Sequence, residues 1–272
     1  KLHPIESSYW GPLGGIAELM GVIDDSFSNW IRPTIHAANT IIQDSGLIYA
    51  IVPPITNAKI AAHLAKERGM PFVIDFRDNE FNLPPSIVQE AMTIIASTDM
   101  SLLNMRQHYG LSSRLGKVIY NGYATDQLLD MPTRQRKANE LKIIYTGLLN
   151  LDLDPAMLAK AIHHLEWKYP HTKGKVSVDY YGPKNFYTRY FLHRHLSNNV
   201  RFGGYLPFQE VLAQIAQSDL AYVSVKGKKD AYRIPSKIFQ YLAMETPILA
   251  AGPTGALQSF IAEHRLGRFA VS

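Results

Sequence analysis

The residues of this chain best suited to chemistry lie between Ala231 and Ala251, AYRIPSKIFQYLAMETPILAA. The pattern predicts a loop, a short helix opened by Pro235 and a buried strand. Proline suits a first helical turn, where its missing N–H would have no partner in any case. Ser236 and Lys237 then stand where free backbone N–H groups and the positive dipole end gather, which favours an anion such as phosphate. Lys237, Gln240, Tyr241 and Met244 recur at helical spacing along one face, with Ile238, Phe239 and Leu242 left to anchor the helix. One turn rises ~5.4 Å, so Lys237 can reach a phosphate while Gln240 reaches a hydroxyl farther along the same ligand. Charge first and hydrogen bonds next suits a nucleotide-sugar diphosphate. An ordinary amphipathic helix with a solvated lysine shows the same pattern, so the rest of the chain has to decide.

Other charged groups cluster nearby. The excess of Lys and Arg is confined to the second half, where residues 140–272 carry 16 against 10 Asp and Glu, while residues 1–139 carry 12 against 13. Much of it falls in KGKKDAYR, Lys226 to Arg233, just ahead of the Pro235 helix. Such a segment serves a phosphorylated small molecule, an anionic membrane or nucleic acid, or is simply a solvated loop. In the first half, Arg77-Asp78 ends an apolar run and Thr56-Asn57 follows Pro53-Pro54.

These residues need a scaffold, and composition supplies one. At 272 residues with 46% hydrophobic and 19% charged content, the chain is globular and long enough for two domains. It has no cysteine, which excludes disulfides, thiolate metal sites and a cysteine nucleophile. No apolar run is long enough to cross a bilayer, and KLHPIESSYWGPLGG does not read as a signal peptide. The expectation is a soluble or peripheral protein, cytoplasmic in the simplest case.

The element pattern is α/β. Ser28 to Asp44 reads as a helix, LIYAIVPP as a strand, Asn57 to Arg68 as a helix closed by Gly69, and FVIDFRD as the next strand. Pro84-Pro85 opens a helix expected to run to about Ala96; a short strand MSLLN, a helix from about Met105 and KVIYNG follow. Tyr123 to Glu140 is polar and reads as a linker. Beyond it, strands LKIIYTG, KVSVDYYG, NVRFGG, DLAYVSV, PILAAG and RFAVS alternate with helices near Pro155–Tyr169, Phe186–Leu196, Pro207–Gln217, Pro235–Met244 and Ala256–His264. This rhythm predicts parallel sheets covered by helices. Ligands of such sheets bind beyond the carboxyl ends of the strands. The loops there include Gly147-Leu148-Leu149-Asn150, Gly203-Gly204-Tyr205-Leu206-Pro207, the basic loop and Gly252-Pro253-Thr254-Gly255.

In order, VPPITNAKIAAHLAKERGMPFVIDFRD, VIYNGYATDQL, IIYTGLL, VRFGGYLPFQEVLAQIAQSDLAYVSV and IPSKIFQYLAMETPILAAG resemble the GT-B glycosyltransferases of the large retaining group. The likeness is greatest to the family 4-like, "group 1" enzymes that build bacterial surface polysaccharides, and it covers about Asp25 to the end. It implies two Rossmann-like doubly wound domains facing a cleft: an acceptor-side domain over residues 1–122, a linker over 123–140 and a donor-binding domain over 141–272. The acceptor side lacks the strands that normally open it, and the end lacks further helix, so the chain is expected to be incomplete at both ends. A pair of glutamates found in many relatives corresponds here to Tyr232 and Gln240.

The resemblance implies transfer of a sugar, with retention, from a nucleotide-sugar donor to a glycan or lipid-linked acceptor. Lys237 and Arg233 would hold the diphosphate, aided by Ser236 and the backbone of Gly147; Gln240 would meet a ribose hydroxyl, and Tyr205 and Leu206 would border the base. Asp78 and Arg77 are the catalytic candidates, Thr56 and Asn57 the acceptor-side ones. Asp78 could instead cap its loop and pair with Arg77. Asp152-Leu153-Asp154 matches the two-aspartate metal motif of the other major glycosyltransferase fold, but Asp154 before Pro155 reads as a helix cap. His193 and His195 do not share a helical face. No metal and no cofactor are expected, with the nucleotide sugar as substrate. Nucleic acid is disfavoured for want of interleaved aromatics; a peripheral seat on the inner face of the membrane stays open. Two alternatives also stay open, a nucleotide-sugar epimerase of the same fold and a binding module without turnover.

Overall fold

The computed structural model describes residues 20, 25–42, 46–123, 139–148, 156–183, 186 and 200–271. The Asp152–Asp154 motif, Pro155, His193, His195, most of the linker and all but Phe186 of the Phe186–Leu196 helix lie outside these residues. The chain divides into two compact units, Lys1–Tyr120 and Asn121–Ser272.

In the first unit, helix α1 (Ile31–Ile41) precedes strand β1 (Ile48–Val52), helix α2 (Ile55–Arg68) and strand β2 (Phe72–Phe76). Helix α3 (Pro85–Glu90), strand β3 (Thr93–Ala96), helix α4 (Asp99–Tyr109) and strand β4 (Lys117–Val118) follow. The four strands pair in parallel in the order β1-β2-β3-β4. Alternate strand residues Val52, Ile74, Phe76 and Ile94 pack one sheet face against Ala58, Ala61 and Ala65 of α2 and Leu102, Met105 and Tyr109 of α4. α2 ends where Gly69 turns left-handed at φ +63, a conformation that glycine adopts without a Cβ clash.

Two expectations fail between Pro84 and Tyr109. The helix opened by Pro84-Pro85 stops at Glu90, and Thr93–Ala96 enters the sheet as β3. Thr93, Ile94 and Ile95 are β-branched, stiff at χ1 and at home on a pleated surface. MSLLN, read as a strand, belongs to α4 instead. Thr98 accepts the Ser101 N–H at 3.0 Å as N-cap, and Asp99 adds a negative charge to the first turn.

In the second unit the strands are β5 (Leu141–Thr146), β6 (Val176–Tyr181), β7 (Val200–Gly204), β8 (Leu220–Ser224), β9 (Ile248–Gly252) and β10 (Gly267–Val271). The described helices are α5 (Ala156–Lys168), α6 (Phe208–Ala216), α7 (Lys237–Ala243) and α8 (Ala256–Glu263). All pairings are parallel, in the order β10-β9-β8-β5-β6-β7. This is the Rossmann order, whose direction of winding reverses between β5 and β8. One core joins Leu158 and Ile162 of α5 to Ile143, Tyr145, Val178 and Tyr180. The core on the other face joins α6, α7 and α8 to Ile144, Ala221, Val223 and Ile248.

Candidate functional site

The reversal of winding directs attention to the carboxyl ends of β5 and β8, where crossovers diverge and leave room for a ligand. β5 ends at Thr146 and is followed by Gly147 at φ +112, with its N–H donated to the Tyr181 carbonyl at 2.8 Å. A Cβ on Gly147 would stand 3.1 Å from the Lys237 Nζ and would force a strained backbone besides. Lys237, the first residue of α7, therefore extends its side chain to the end of β5. Its Nζ lies 3.9 Å from the centroid of the Tyr145 ring.

That nitrogen is buried and has no hydrogen-bond partner in the protein. Desolvation lowers its pKa from 10.5 to about 7. Contact with an aromatic face recovers only part of what a buried cation loses on leaving water. Buried polar groups are normally bonded, so an exception calls for a reason. At the end of β8, the Ser224 Oγ is likewise buried and unpartnered.

Tyr241, one turn along α7, fixes this geometry. Its hydroxyl accepts the Thr146 N–H at 3.2 Å and lies 3.1 Å from the Thr146 Oγ1 and 3.4 Å from the Tyr222 carbonyl oxygen. Burial pushes its pKa up to about 12, so it stays a neutral phenol. The sequence reading placed Tyr241 on the ligand-facing row beside Lys237 and Gln240. The structure buries it as a clamp between helix and strand. Its signal was the match between one tyrosine on α7 and the polar Thr146 closing an otherwise apolar strand.

The remaining donor-side candidates divide. Ser236 is exposed at the start of α7 and bonds no helix N–H through its side chain; Gln240 is partly exposed. α7 is only seven residues long, and the turn before it begins when Ile238 N–H meets the Pro235 carbonyl at 3.0 Å. Arg233, expected to grip phosphate, forms an ion pair with Asp230 at 3.3 Å and lies over the Tyr232 ring at 5.7 Å. Its charge is therefore already engaged by Asp230, an acid buried within the basic segment. Tyr205 is 78% exposed, and Leu206, partly exposed, packs one side against the α6–α8 core. The basic loop is moored where Ala256 N–H meets the Ala231 carbonyl at 2.8 Å. A Cβ on Gly255 would come within 2.2 Å of that oxygen, so glycine is required by close approach.

In the first unit, Arg77 follows β2 and pairs with Asp75, a carboxylate fully buried within that strand. Its Nη1 also lies 3.5 Å from the Ile119 carbonyl oxygen. Tyr49 donates to the same Asp75 oxygen, while the Asp75 Oδ1 is buried without a partner. Burial and the adjacent carboxylate hold the Tyr49 pKa above its ordinary value. Asp78 is partly exposed in the loop after β2. Asp75 is a partner of Arg77 that the sequence does not announce, because it is hidden inside an apolar run.

Both acceptor-side residues bond within the first unit. Thr56 is fully buried; its Oγ1 donates to Asp25 Oδ1 at 2.6 Å and its N–H to Asp25 Oδ2 at 2.7 Å. Asp25 thereby tethers the first turn of α2. Asn57 donates back to the Ile51 carbonyl at 2.9 Å. Among the described residues, no group of three or more His, Cys, Asp or Glu is arranged to hold a metal ion. Nor is any described helix long and apolar enough to cross a membrane.

No family model matches this chain, and no curated protein matches it. Solved structures do. Anabaena HepE in complex with UDP-glucose shares 17% identity over 96% of this chain and 70% of its own, at TM-score 0.62. Sucrose-phosphate synthase from Thermosynechococcus elongatus shares 11% over 90% of this chain and 66% of its own, at TM-score 0.68. The apo lipopolysaccharide outer core galactosyltransferase WaaB shares 14% over 92% of this chain and 75% of its own, at TM-score 0.58. The chain thus spans roughly two thirds to three quarters of these proteins. At such identities the likeness establishes architecture alone: the fold is GT-B, with two Rossmann-like units in one chain.

Proposed function

We propose that this chain is a glycosyltransferase that moves a sugar, with retention, from a nucleotide-sugar donor to a glycan or lipid-linked acceptor. Its setting would be the synthesis of a bacterial surface polysaccharide, at the cytoplasmic face of the membrane. The observation that carries the reading is the buried, unpartnered ammonium of Lys237 at the winding reversal of a Rossmann sheet. A diphosphate placed there supplies the missing counter-charge and restores the protonated amine. Glycosyl transfer leaves negative charge on the departing phosphate, and a fixed cation stabilises that charge as it forms.

In this reading the Gly147 backbone and Ser236 border the phosphates, and Gln240 meets a ribose hydroxyl. Tyr205 and main-chain groups of its loop edge the base, while Arg233, paired with Asp230, contributes from the rim. Asp78 and Arg77 act on the sugar or the acceptor hydroxyl, with Asp75 and Tyr49 fixing the Arg77 guanidinium. The residues need no metal for this chemistry, since Lys237 supplies the charge.

HepE was solved with UDP-glucose, so UDP and UDP-glucose are the first probes. In calorimetric titrations, Lys237→Ala should weaken UDP binding at least about tenfold, the equivalent of 1.4 kcal/mol. Lys173→Ala, an exposed lysine elsewhere on the same unit, should leave it unchanged. Equal effects from the two substitutions would remove the assignment. A binding module without turnover would take up the nucleotide sugar yet release no nucleotide when glycan acceptors are added.

A further inference from the structure

The outer face of α5 does not look like the solvated face of an ordinary surface helix. Met157, Lys160, His164, Trp167 and Lys168 recur along it at helical spacing, and all are exposed. Trp167 is 74% exposed, with its ring 5.6 Å from that of His164. The chain continues into exposed Tyr169, over whose ring the Lys168 Nζ lies at 5.3 Å, and then Lys173 and Lys175. From Ala156 to Lys175 there are four lysines and a single acid, Glu166. That carboxylate accepts the Gly174 N–H at 3.1 Å, which ties it to the turn.

We propose that this face and the turn after it form a docking surface for an anionic lipid bilayer. Each component suits that partner. An indole and a phenol carry an apolar body and a polar edge, which seat them at headgroup depth. The lysines around them meet the negative potential of anionic lipids, and their aliphatic stems lie along the apolar boundary. A sugar platform would surround its rings with free carboxylates or amides, and the one acid here is engaged.

Topology keeps this surface away from the nucleotide site. α5 leads from the carboxyl end of β5 to the amino end of β6, so Trp167 through Lys175 gather at the amino edge of the sheet. Lys237 reaches the opposite, carboxyl edge. Docking therefore leaves the donor site open, and the inference does not depend on the proposed transfer reaction.

The test is co-sedimentation of the full chain with phosphatidylcholine vesicles, with and without about 30% phosphatidylglycerol. The Trp167 emission is isolated by subtracting the spectrum of Trp167→Phe. The expected result is a blue shift and retention on the anionic vesicles alone, both lost as salt rises from about 0.05 to about 0.5 M. Lys160→Glu with Lys168→Glu should lower partitioning at least tenfold, and Lys160→Gln with Lys168→Gln should do so more mildly. Both variants should keep the melting temperature and the UDP response of the parent, which separates this surface from the donor site. Equal retention on neutral vesicles, no retention at all, or retention indifferent to every substitution would overturn the proposal. So would soluble glycan that quenches Trp167 while vesicles do not.

Discussion

Replacing Lys237 with methionine should make the unliganded protein more stable at neutral pH while abolishing its response to UDP. The folded protein holds the Lys237 pKa at about 7 against an ordinary value of 10.5. A displacement of this size, at 1.36 kcal/mol per pKa unit, corresponds to a penalty of about 5 kcal/mol when the amine must be protonated. Because the folded pKa is the lower one, the unfolded chain binds the extra proton between about pH 7 and 10.5, and stability rises with pH through that window. Above it the penalty is absent, and below it the penalty is full. Methionine keeps the length and apolar volume of the lysine stem but loses the contact with the Tyr145 ring, worth about 1–2 kcal/mol. The net gain expected at pH 7 is then about 3 kcal/mol, or roughly 6–12 °C in the melting temperature of the second unit. By about pH 10 the gain should have nearly vanished.

Scanning calorimetry at both pH values, with and without UDP, measures every part of this. The parent should gain about 2.7 kcal/mol from UDP at a hundredfold excess over Kd, and Lys237→Met should gain none. A variant less stable than the parent at pH 7, one with the same pH slope, or one still stabilised by UDP would refute the reasoning.

Three further outcomes follow from the same geometry. Tyr241→Phe removes the acceptor for the Thr146 N–H and should cost about 1–3 kcal/mol in denaturant unfolding; it should also weaken UDP binding, because Lys237 is no longer held in place. Gly147→Ala meets both a left-handed backbone and the Lys237 Nζ, so UDP affinity should fall about tenfold in calorimetric titration, with lowered stability. Asp25→Ala unties Thr56 and should cost about 1–2 kcal/mol of first-unit stability without altering nucleotide affinity.

Among the described residues, the alternation of strands and helices after Glu140 was plain in the sequence, because parallel strands buried on both faces read as apolar runs punctuated by Gly and Pro. The region from Pro84 to Tyr109 was not. TIIA follows directly on a helical segment, and the start of α4 is marked only by Thr98 and Asp99, so both elements were misplaced. Among the site candidates, Lys237 could be named because its charge follows Pro235 at a helix start. Asp75 could not, since a carboxylate inside FVIDF signals no partner until Tyr49 is brought across from β1 and Arg77, two residues on, turns back to meet it. Thr56 shows the opposite failure. A threonine at a helix start looks free to bind a ligand, but Asp25, 31 residues earlier, has already taken its hydroxyl.

The Tyr241 clamp has a consequence for ionic strength. The Lys237 amine is placed by a phenol gripping the last residue of a strand, not by a neighbouring acid. An incoming diphosphate therefore has no resident ion pair to break. Dissolved salt, which screens exposed charges over about 8–10 Å, acts weakly on a nitrogen that the protein and the bound diphosphate together bury. Donor affinity should accordingly decline only gently as sodium chloride is added, unlike that of a pocket lined with surface lysines.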